Sequence, residues 1–319
     1  MDTLKKYTNN STAGKIRNPD PSKFTAMPSI SIGLPVYNGE LYLRVALDSI
    51  VAQTFRDFDL IISDNASTDG TENICLEYAA RDQRIRYHRN DANIGAAENF
   101  RRVFQLSSAK YFKWAGVDDY LAPTFLEKCK KILDEHPEMV LSCTKVNIID
   151  GAGKILRRYE DQQGLLQTLP RDRFRQWLQQ DSWCNAVYGL IRSDELRKTR
   201  LMGNFGGSDV VFLAELSLYG KFNEISEYLF FRRIHEQAFS YECSVEKQRE
   251  FYTPKKKSGA GLVLRTWRHL YEHTRSISRA PISVVEKMHL LLHVLRLVWW
   301  QKAQLITEVA SAFSKSAIR

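Results

Sequence analysis

The sequence predicts an α/β protein with a mostly parallel sheet flanked by helices, followed by a helical, basic C-terminal extension. From Ser29 onward, short apolar runs alternate with amphipathic stretches of helical periodicity. Strands separated by helical segments need crossover connections, which make neighbouring strands parallel and cover both faces of the sheet. Excess positive charge is confined to the end of the chain: residues 1–243 contain 32 Lys and Arg against 32 Asp and Glu, whereas the last 76 residues contain 14 against 5.

Seven elements in the order β-α-β-α-β-α-β open the predicted domain. Strands are predicted at residues 29–36, 58–63, 84–88 and 110–117, with helices at 40–53, 71–80 and 96–106. Beyond them we predict a helix at 123–136, a strand at 139–149, a hairpin turn at 150–153, a helix at 171–180, a strand at 185–192 and a helix at 210–219. Helical periodicity returns at residues 262–313.

Composition divides the chain into three regions. We expect a flexible polar tail at residues 1–27, the α/β domain at 28–243 and the basic helical extension at 244–319, with a basic linker at 254–261. The first residues lack the apolar segment of a secretory signal, and no apolar run reaches the roughly 18 residues of a spanning helix, so neither translocation nor a membrane span is expected. Five widely spaced cysteines without a CxxC pair argue against a disulfide framework or a structural zinc site and favour a reducing, cytoplasmic location.

Polar loops follow the first four predicted strands, at residues 35–39, 64–70, 93–95 and 117–120. In open α/β sheets ligands bind beyond the carboxyl ends of the strands, so these loops should meet at one ligand-binding edge. The last loop contains two adjacent carboxylates, Asp118 and Asp119, which repel each other unless a cation or hydrogen-bond donors offset their charge. Taken alone, the pair fits a solvated surface turn better.

Three sequence blocks together resemble the opening of a family 2 glycosyltransferase of GT-A fold. The blocks are residues 31–39 (SIGLPVYNG), 47–55 (LDSIVAQTF) and 60–71 (LIISDNASTDGT). The resemblance continues through residues 93–95, Asn99 and residues 114–120, and more loosely through 207–209 and 231–235. It implies a nucleotide-diphosphate-sugar donor, with UDP as the expected nucleotide, a divalent Mn²⁺ or Mg²⁺ ion, and inverting transfer to the hydroxyl of a glycan or lipid-linked acceptor. Synthesis of a surface polysaccharide or another glycoconjugate is the expected process.

The resemblance implies nucleotide contacts by Pro35, Tyr37, Asp64, Asn93 and Asp118. The ring of Tyr37 can contact a nucleobase, although it could also only pack at the end of a strand. The carboxylate of Asp64 can accept a hydrogen bond from a ribose hydroxyl or from the ring N–H of a base such as uracil.

The metal site departs from the pattern of the family, which is Asp-x-Asp. Gly116 stands at the first acidic position, so we expect Asp119 to bind the metal, with Asp118 directed toward the ribose or a metal-bound water. Because substrate phosphates complete the shell of a hard divalent ion, a short motif is chemically sufficient. Arg233 and His235 are further candidates for contacting the diphosphate or the metal.

An inverting transfer needs a general base, for which Asp209 is the candidate. The preceding Gly206-Gly207-Ser208 lets the backbone approach a substrate closely, and a carboxylate at the start of a helix is held by N-terminal donors. A simple helix N-cap is the alternative.

The C-terminal extension carries apolar residues on one side of residues 281–313, interrupted by Lys287, Arg296 and Lys302, with Trp299 and Trp300 suited to the headgroup level. It predicts either contact with the inner face of a membrane or packing on the domain or on a second copy; nucleic acid is not an expected partner. Two rivals to the transferase remain. One is a catalytically silent GT-A-fold binding or scaffold module, favoured by Gly116. The other is a sugar-1-phosphate nucleotidyltransferase, whose glycine-rich basic N-terminal motif is absent.

Overall fold

The computed structural model of the protein describes residues 27–159, 162–180, 183–236, 251 and 264–317, with side chains as far as residue 311. Within them the predicted α/β fold, with its mostly parallel, helix-flanked sheet and C-terminal helices, is confirmed. The predicted tail before residue 27 and the linker at 254–261 lie outside the described residues. The predicted division at residues 243 and 244 falls there as well, so these boundaries stay predictions.

Twenty elements follow one another along the described chain. The first seven are β1 Ile30–Val36, α1 Leu43–Val51, β2 Phe58–Asp64, α2 Thr71–Arg81, β3 Ile85–Arg89, α3 Ala96–Gln105 and β4 Tyr111–Trp114. The next eight are β5 Tyr120–Leu121, α4 Phe125–Glu135, β6 Met139–Ile149, β7 Ile155–Tyr159, α5 Pro170–Gln179, a 3₁₀ helix at Asn185–Tyr188, β8 Leu190–Arg192 and α6 Ser193–Lys198. The last five are α7 Ser208–Ser217, β9 Lys221–Arg233, α8 Arg265–Arg279, α9 Val284–Trp300 and α10 Lys302–Ala317.

The described strands form one mixed sheet in the order β3-β2-β1-β4-β8-β6-β9-β5, with β7 paired to β6. Strands β3, β2, β1 and β4 are parallel neighbours, and Val36 at the end of β1 lies in register with Asp64 at the end of β2. Helices α1, α2 and α4 bury one apolar cluster, whereas α3, α5, α7 and the C-terminal helices bury another. The two-sided burial explains why the strands are apolar throughout rather than alternating.

The strand predicted at 185–192 is wrong in its first half. Residues 185–188 form a 3₁₀ turn, entered through Cys184 at a positive φ of 55°, and only Leu190–Arg192 is extended. Gly189 brings the chain so close to β6 that a Cβ would lie 2.9 Å from the carbonyl oxygen of Ser142. The strand predicted at 110–117 is also shorter and ends at Trp114.

The three C-terminal helices pack on the α/β body through α5 and α7. Two ion pairs with buried carboxylates fix this position: Arg200 with Glu272 of α8, and Arg171 with Glu286 of α9. Among the described residues, no helix is both long enough and apolar enough to span a bilayer.

Candidate active site

Asp64 is fully buried where β2 ends. One carboxylate oxygen accepts the backbone N–H of Ser67 at 2.9 Å, and the other accepts the hydroxyl of Tyr87 at 2.8 Å and an N–H of Arg89 at 2.5 Å. A carboxylate offers about four acceptor positions, of which three are filled within the protein and one is unfilled. The sequence predicts a nucleotide contact for Asp64, and the structure shows this carboxylate holding the start of the loop 65–70 in place.

The loops after β1 and β2 are tied together beside Asp64. The side chain of Asn38, at a positive φ of 51°, accepts the N–H of Thr68 at 2.8 Å, and its own backbone N–H donates to the hydroxyl of Ser67 at 2.9 Å. Tyr37 lies between β1 and these hydrogen bonds. It is 48% exposed, although the strand before it is buried. Pro35 is half-buried within β1. The edge therefore offers one open aromatic ring on a rigid support.

Asn93 belongs to a buried amide network under the same edge. Its side-chain oxygen accepts from Asn65 at 2.7 Å and from the backbone N–H of Gly95 at 2.8 Å. Asn90 links Asn65 to Asn99 at 3.0 and 3.1 Å. These bonds shape the loop before α3; the positions of Asn65 and Asn90 in this network were not foreseen, since the network forms only when three loops meet.

The two adjacent carboxylates after β4 differ in their surroundings. Asp119 is 7% exposed and accepts the backbone N–H of Arg233 at 2.9 Å. Burial, and then the charge of Asp118, raises the pKa of Asp119 to about 8. A Cβ on Gly116 would lie 2.6 Å from the carboxylate of Asp119, so that carboxylate occupies the space an acidic residue at 116 would need.

Asp118 has a 27% exposed side chain and lies 3.1 Å from the Nε2 atom of His235. The ring of His235 in turn packs against Tyr42, with 4.8 Å between centroids. Arg233 is buried, and its guanidinium donates to the carbonyl oxygens of Asp118, Asp150 and Gly151 at 2.8–2.9 Å. Arg233 thus supports the loop of the carboxylates, whereas Asp118 and His235 form the more accessible pair.

Asp209 lies in the first turn of α7, after Gly207 at a positive φ of 78°. Its carboxylate accepts the N–H of Val210 at 3.0 Å. Helix α8 supports this turn: His269 donates from Nε2 to the carbonyl oxygen of Gly206 at 2.8 Å, and a Cβ on Gly207 would lie 2.6 Å from the same ring. Sequence reasoning missed His269, because its contact joins two segments that are far apart in the chain.

Tyr188 lies in the 3₁₀ helix that precedes β8. Burial, and then the negative charges of Asp119, Asp118 and Asp209, raise its pKa. The carbonyl oxygen of Tyr188 accepts from Lys113, a fully buried lysine of β4 whose pKa burial lowers to about 7. The signal for Lys113 was present in the sequence as a lone lysine inside an apolar strand.

No cluster of three or more His, Cys, Asp or Glu that could hold a metal occurs in the described part of the chain. The donors present near the site are the carboxylate of Asp118 and the imidazole of His235. A two-ligand set is open enough for the oxygens of a diphosphate and for water to complete an octahedral shell.

A comparison of the sequence with family models identifies residues 31–194, half of the chain, as glycosyl transferase family 2. The chain belongs to this family. The matched segment contains β1, the loops at the sheet edge, and both Asp118 and Asp119. Asp209, Arg233 and His235 lie beyond it, so their roles depend on the geometry.

Curated relatives in the family are similar over part of their length. An uncharacterized glycosyltransferase of Methanocaldococcus jannaschii is 29% identical over 153 residues, which cover 47% of this chain and 53% of that protein. An uncharacterized protein of Mycobacterium bovis is 42% identical over 121 residues, 36% of this chain and 35% of that protein. The chain therefore spans about half the length of these relatives, or less.

Solved structures share the fold at low sequence identity. Residues 1–349 of Staphylococcus aureus TarS, in complex with UDP-GlcNAc, superpose with a TM-score of 0.64 at 14% identity, covering 89% of this chain and 80% of that one. The mannosyltransferase PcManGT of Pyrobaculum calidifontis, in complex with GDP-Man and Mn²⁺, gives a TM-score of 0.50 at 13% identity, covering 91% and 87%. These similarities confirm a GT-A-like architecture for the family 2 chain.

Proposed function

We propose that this protein is a metal-assisted inverting glycosyltransferase that moves a sugar from a nucleotide-diphosphate-sugar to an acceptor hydroxyl. One observation carries the proposal: the accessible pair Asp118–His235 lies against the loop after β1, where the ring of His235 packs on Tyr42, beside the edge formed by Tyr37 and Asp64. A nucleobase, a diphosphate and an acceptor would each meet the type of side chain that its chemistry requires.

Asp118 and His235 are the residues that would hold the divalent ion, with Asp119 behind them. The sequence suggested Asp119 as the metal ligand. We propose the neighbouring Asp118 instead, because Asp119 is nearly buried and bonded to the backbone of Arg233. An imidazole nitrogen in the ligand set favours a transition-metal ion such as Mn²⁺ over Mg²⁺. When bound, the ion would stabilise the negative charge that develops on the leaving nucleoside diphosphate.

Asp209 would accept the proton of the acceptor hydroxyl. In this step the acceptor oxygen forms a bond to the anomeric carbon, the bond from that carbon to the diphosphate oxygen breaks, and the electron pair leaves with the diphosphate. A base of this kind contributes roughly 10²–10⁴-fold. Its support by α7 and by His269 keeps the carboxylate in one place, which proton transfer requires.

UDP is the proposed nucleotide, because the one free acceptor position of Asp64 suits the ring N–H of uracil. The acceptor would lie on the side of Asp209 where Trp183 is exposed and Arg232 donates to Asn185 at 2.7 Å. We propose a glycan or lipid-linked acceptor in the synthesis of a surface polysaccharide or glycoconjugate, at a cytoplasmic location.

Nucleotide release from UDP- and GDP-sugars with Mn²⁺ tests the proposal. Asp209→Asn should lower the rate roughly 10²–10⁴-fold without weakening donor binding, and Asp118→Asn should lower it about 10²-fold or more. Asp194→Asn is the matched control, because Asp194 is an exposed surface carboxylate and should leave the rate unchanged.

The second candidate is a catalytically silent binding module, which the loss of an acid at Gly116 favours. It predicts that nucleotide-sugars raise the melting temperature while nucleotide release stays the same in the wild type and in Asp209→Asn. That result would replace the transferase proposal.

A further inference from the structure

The solvent-facing side of α9 is apolar. Its exposed side chains include seven large apolar ones that are each 53–73% exposed, here named the α9 stripe: Val284, Val285, Met288, Leu292, Leu295, Trp299 and Trp300. Four of them, Met288, Leu292, Leu295 and Trp299, recur at intervals of three or four residues and so form one line along the helix. Contiguous exposed apolar surface of this kind marks an interaction site rather than ordinary surface.

The opposite side of α9 holds the helix in place. Leu290 and Val294 are buried against the α/β body and α8, and the carboxylate of Glu286 bonds to the side chain and backbone N–H of Arg171. The α9 stripe is therefore not a core face that has failed to pack. A helix that is apolar on both sides has two partners, and the α/β body accounts for one.

Charges on the three C-terminal helices are sorted by sign. The described part of these helices, residues 264–311, contains three acidic side chains, and all three are bonded within the protein: Glu272 to Arg200, Glu286 to Arg171, and Glu308 to Thr266. The exposed basic side chains are Arg265, Arg268, Arg275, Arg279, Arg296 and Lys302. Of these, Arg268 and Arg275 pair with Glu272 on their own helix. The positive charge along the α9 stripe itself comes from Arg296 and Lys302.

We propose that the α9 stripe is a docking surface for an anionic lipid membrane. The aliphatic side chains would enter the acyl boundary, while Trp299 and Trp300 would lie at the headgroup level. Arg296 and Lys302 would contact lipid phosphates. The ammonium of Lys302 lies 4.1 Å from the ring of Trp299, which places the cation beside the aromatic group as in a membrane-interface anchor.

Charge favours lipid over a second copy of the chain. A two-fold dimer through the stripe would bring the same positive rim against itself, whereas anionic headgroups neutralise it. This inference goes beyond the proposed function, and neither depends on the other.

Flotation of the full chain with two kinds of vesicle tests the surface: phosphatidylcholine alone, and phosphatidylcholine mixed with phosphatidylglycerol. The wild type should float with the mixed vesicles. The triple variant Met288→Gln/Leu292→Gln/Leu295→Gln should partition roughly 100-fold more weakly. Arg296→Gln/Lys302→Gln should bind the mixed vesicles roughly tenfold or more weakly than the wild type, with no change in binding to phosphatidylcholine alone. Leu76→Gln, an exposed leucine on α2, is the matched control and should float like the wild type.

Quenching of tryptophan fluorescence by brominated lipid is a second measurement, and the wild type alone already tests contact with the bilayer. Quenching by mixed vesicles should fall sharply in Trp299→Phe/Trp300→Phe. The proposal is overturned if the wild type binds neither vesicle, or if brominated lipid does not quench it. It is also overturned if the wild type forms a dimer by sedimentation that the triple variant abolishes while vesicle binding is absent, which would assign the face to a second copy.

Discussion

The two halves of the ligand-binding edge hold their polar groups in different ways. In the nucleotide half, after β1, β2 and β3, Asp64 is bonded to three donors and Asn93 to two. In the catalytic half, after β4 and before α7, Asp119 has one backbone donor, and its pKa is raised to about 8. The pKa of Lys113 beside it is lowered to about 7. The carboxylates of Asp64 and Asp119 are buried to a similar extent in the two halves, but hydrogen-bond donors compensate the buried charge much better in the nucleotide half.

This difference indicates which half depends on a ligand. In the nucleotide half, Asp64 and Asn93 are already bonded within the protein, so the proposed donor would meet a preformed support. The catalytic half places two adjacent carboxylates, Asp118 and Asp119, where Asp119 has a single backbone donor. Perturbed pKa values such as that of Asp119 gather where an enzyme binds a cation or moves a proton. Substitutions in the two halves should therefore have different consequences, and four predictions test this, from the largest expected effect to the smallest.

Arg233→Met should destabilise the protein most. Three carbonyl oxygens that now accept from the buried guanidinium would lose their donor, and each unsatisfied group costs about 1–3 kcal/mol. We expect the free energy of unfolding in urea to fall by about 4 kcal/mol, allowing for partial access of water. Arg232→Met is the matched control: Arg232 is less buried and donates to Trp183 and Asn185, so its loss should cost about 1 kcal/mol. Equal losses for the two would refute the supporting role of Arg233.

Asp119 should make the stability of the metal-free protein depend on pH. Its folded-state pKa of about 8 exceeds the unfolded value of about 4, so its contribution is fully present below about pH 4 and is lost as the pH rises through about 8. Compared with Asp119→Asn, the wild type should lose unfolding free energy steadily as the pH rises through this window. Urea titrations at several pH values measure the difference, and saturating Mn²⁺ should reduce it. A difference that stays constant with pH would show that the site already compensates the charge.

Asp64→Asn tests the nucleotide half. An amide in place of the carboxylate loses the ion pair with Arg89 and places an N–H₂ group near a donor, which costs about 2 kcal/mol. Donor affinity, measured by calorimetry, should fall as well, because the remaining acceptor position is altered. Glu72→Gln is the matched control, since Glu72 is exposed and lies 3.4 Å from the same arginine; it should change stability by less than about 0.5 kcal/mol.

Local patterns predicted the first seven elements of the fold, because apolar periodicity in β1 through β4 reflects burial that each segment carries in its own sequence. Strand β9, Lys221–Arg233, was not predicted, since its sequence contains several charged residues and its extended form depends on pairing with β6, more than 70 residues away in the chain. Strand β5 is two residues long and pairs with β9, so it could not be recognised without it.

The candidate site shows the same limit: contacts between distant segments could not be predicted from local sequence. The sequence and the family resemblance identified Asp118, Asp119, Asp209 and His235 as candidates and assigned the metal to Asp119, whereas the division proposed above assigns it to Asp118 and His235. That division depends on the backbone N–H of Arg233, which comes from β9 and reaches the loop only in the folded chain. His269 was missed for the same reason, because its contact with Gly206 joins two distant segments.

Gly116→Ala addresses the point where this chain departs from the family pattern, and its expected effect is the smallest. A Cβ at 116 would lie 2.6 Å from the carboxylate of Asp119, so that side chain must move, at a cost of about 1.5 kcal/mol. Gly164→Ala is the matched control, because its Cβ would meet nothing closer than 3.7 Å, and it should change the free energy of unfolding little. Urea unfolding and the Mn²⁺ dependence of nucleotide release measure the two effects.

If Gly116→Ala lowers stability and changes the Mn²⁺ dependence while Gly164→Ala does neither, then a side chain at 116 and the buried Asp119 compete for one space. Glycine at 116 would then be explained by the space that the inward-facing Asp119 occupies. The proposed metal ligands, Asp118 and His235, would not be affected by the absence of an acid at 116. If Gly116→Ala is neutral in both measurements, that steric explanation is wrong.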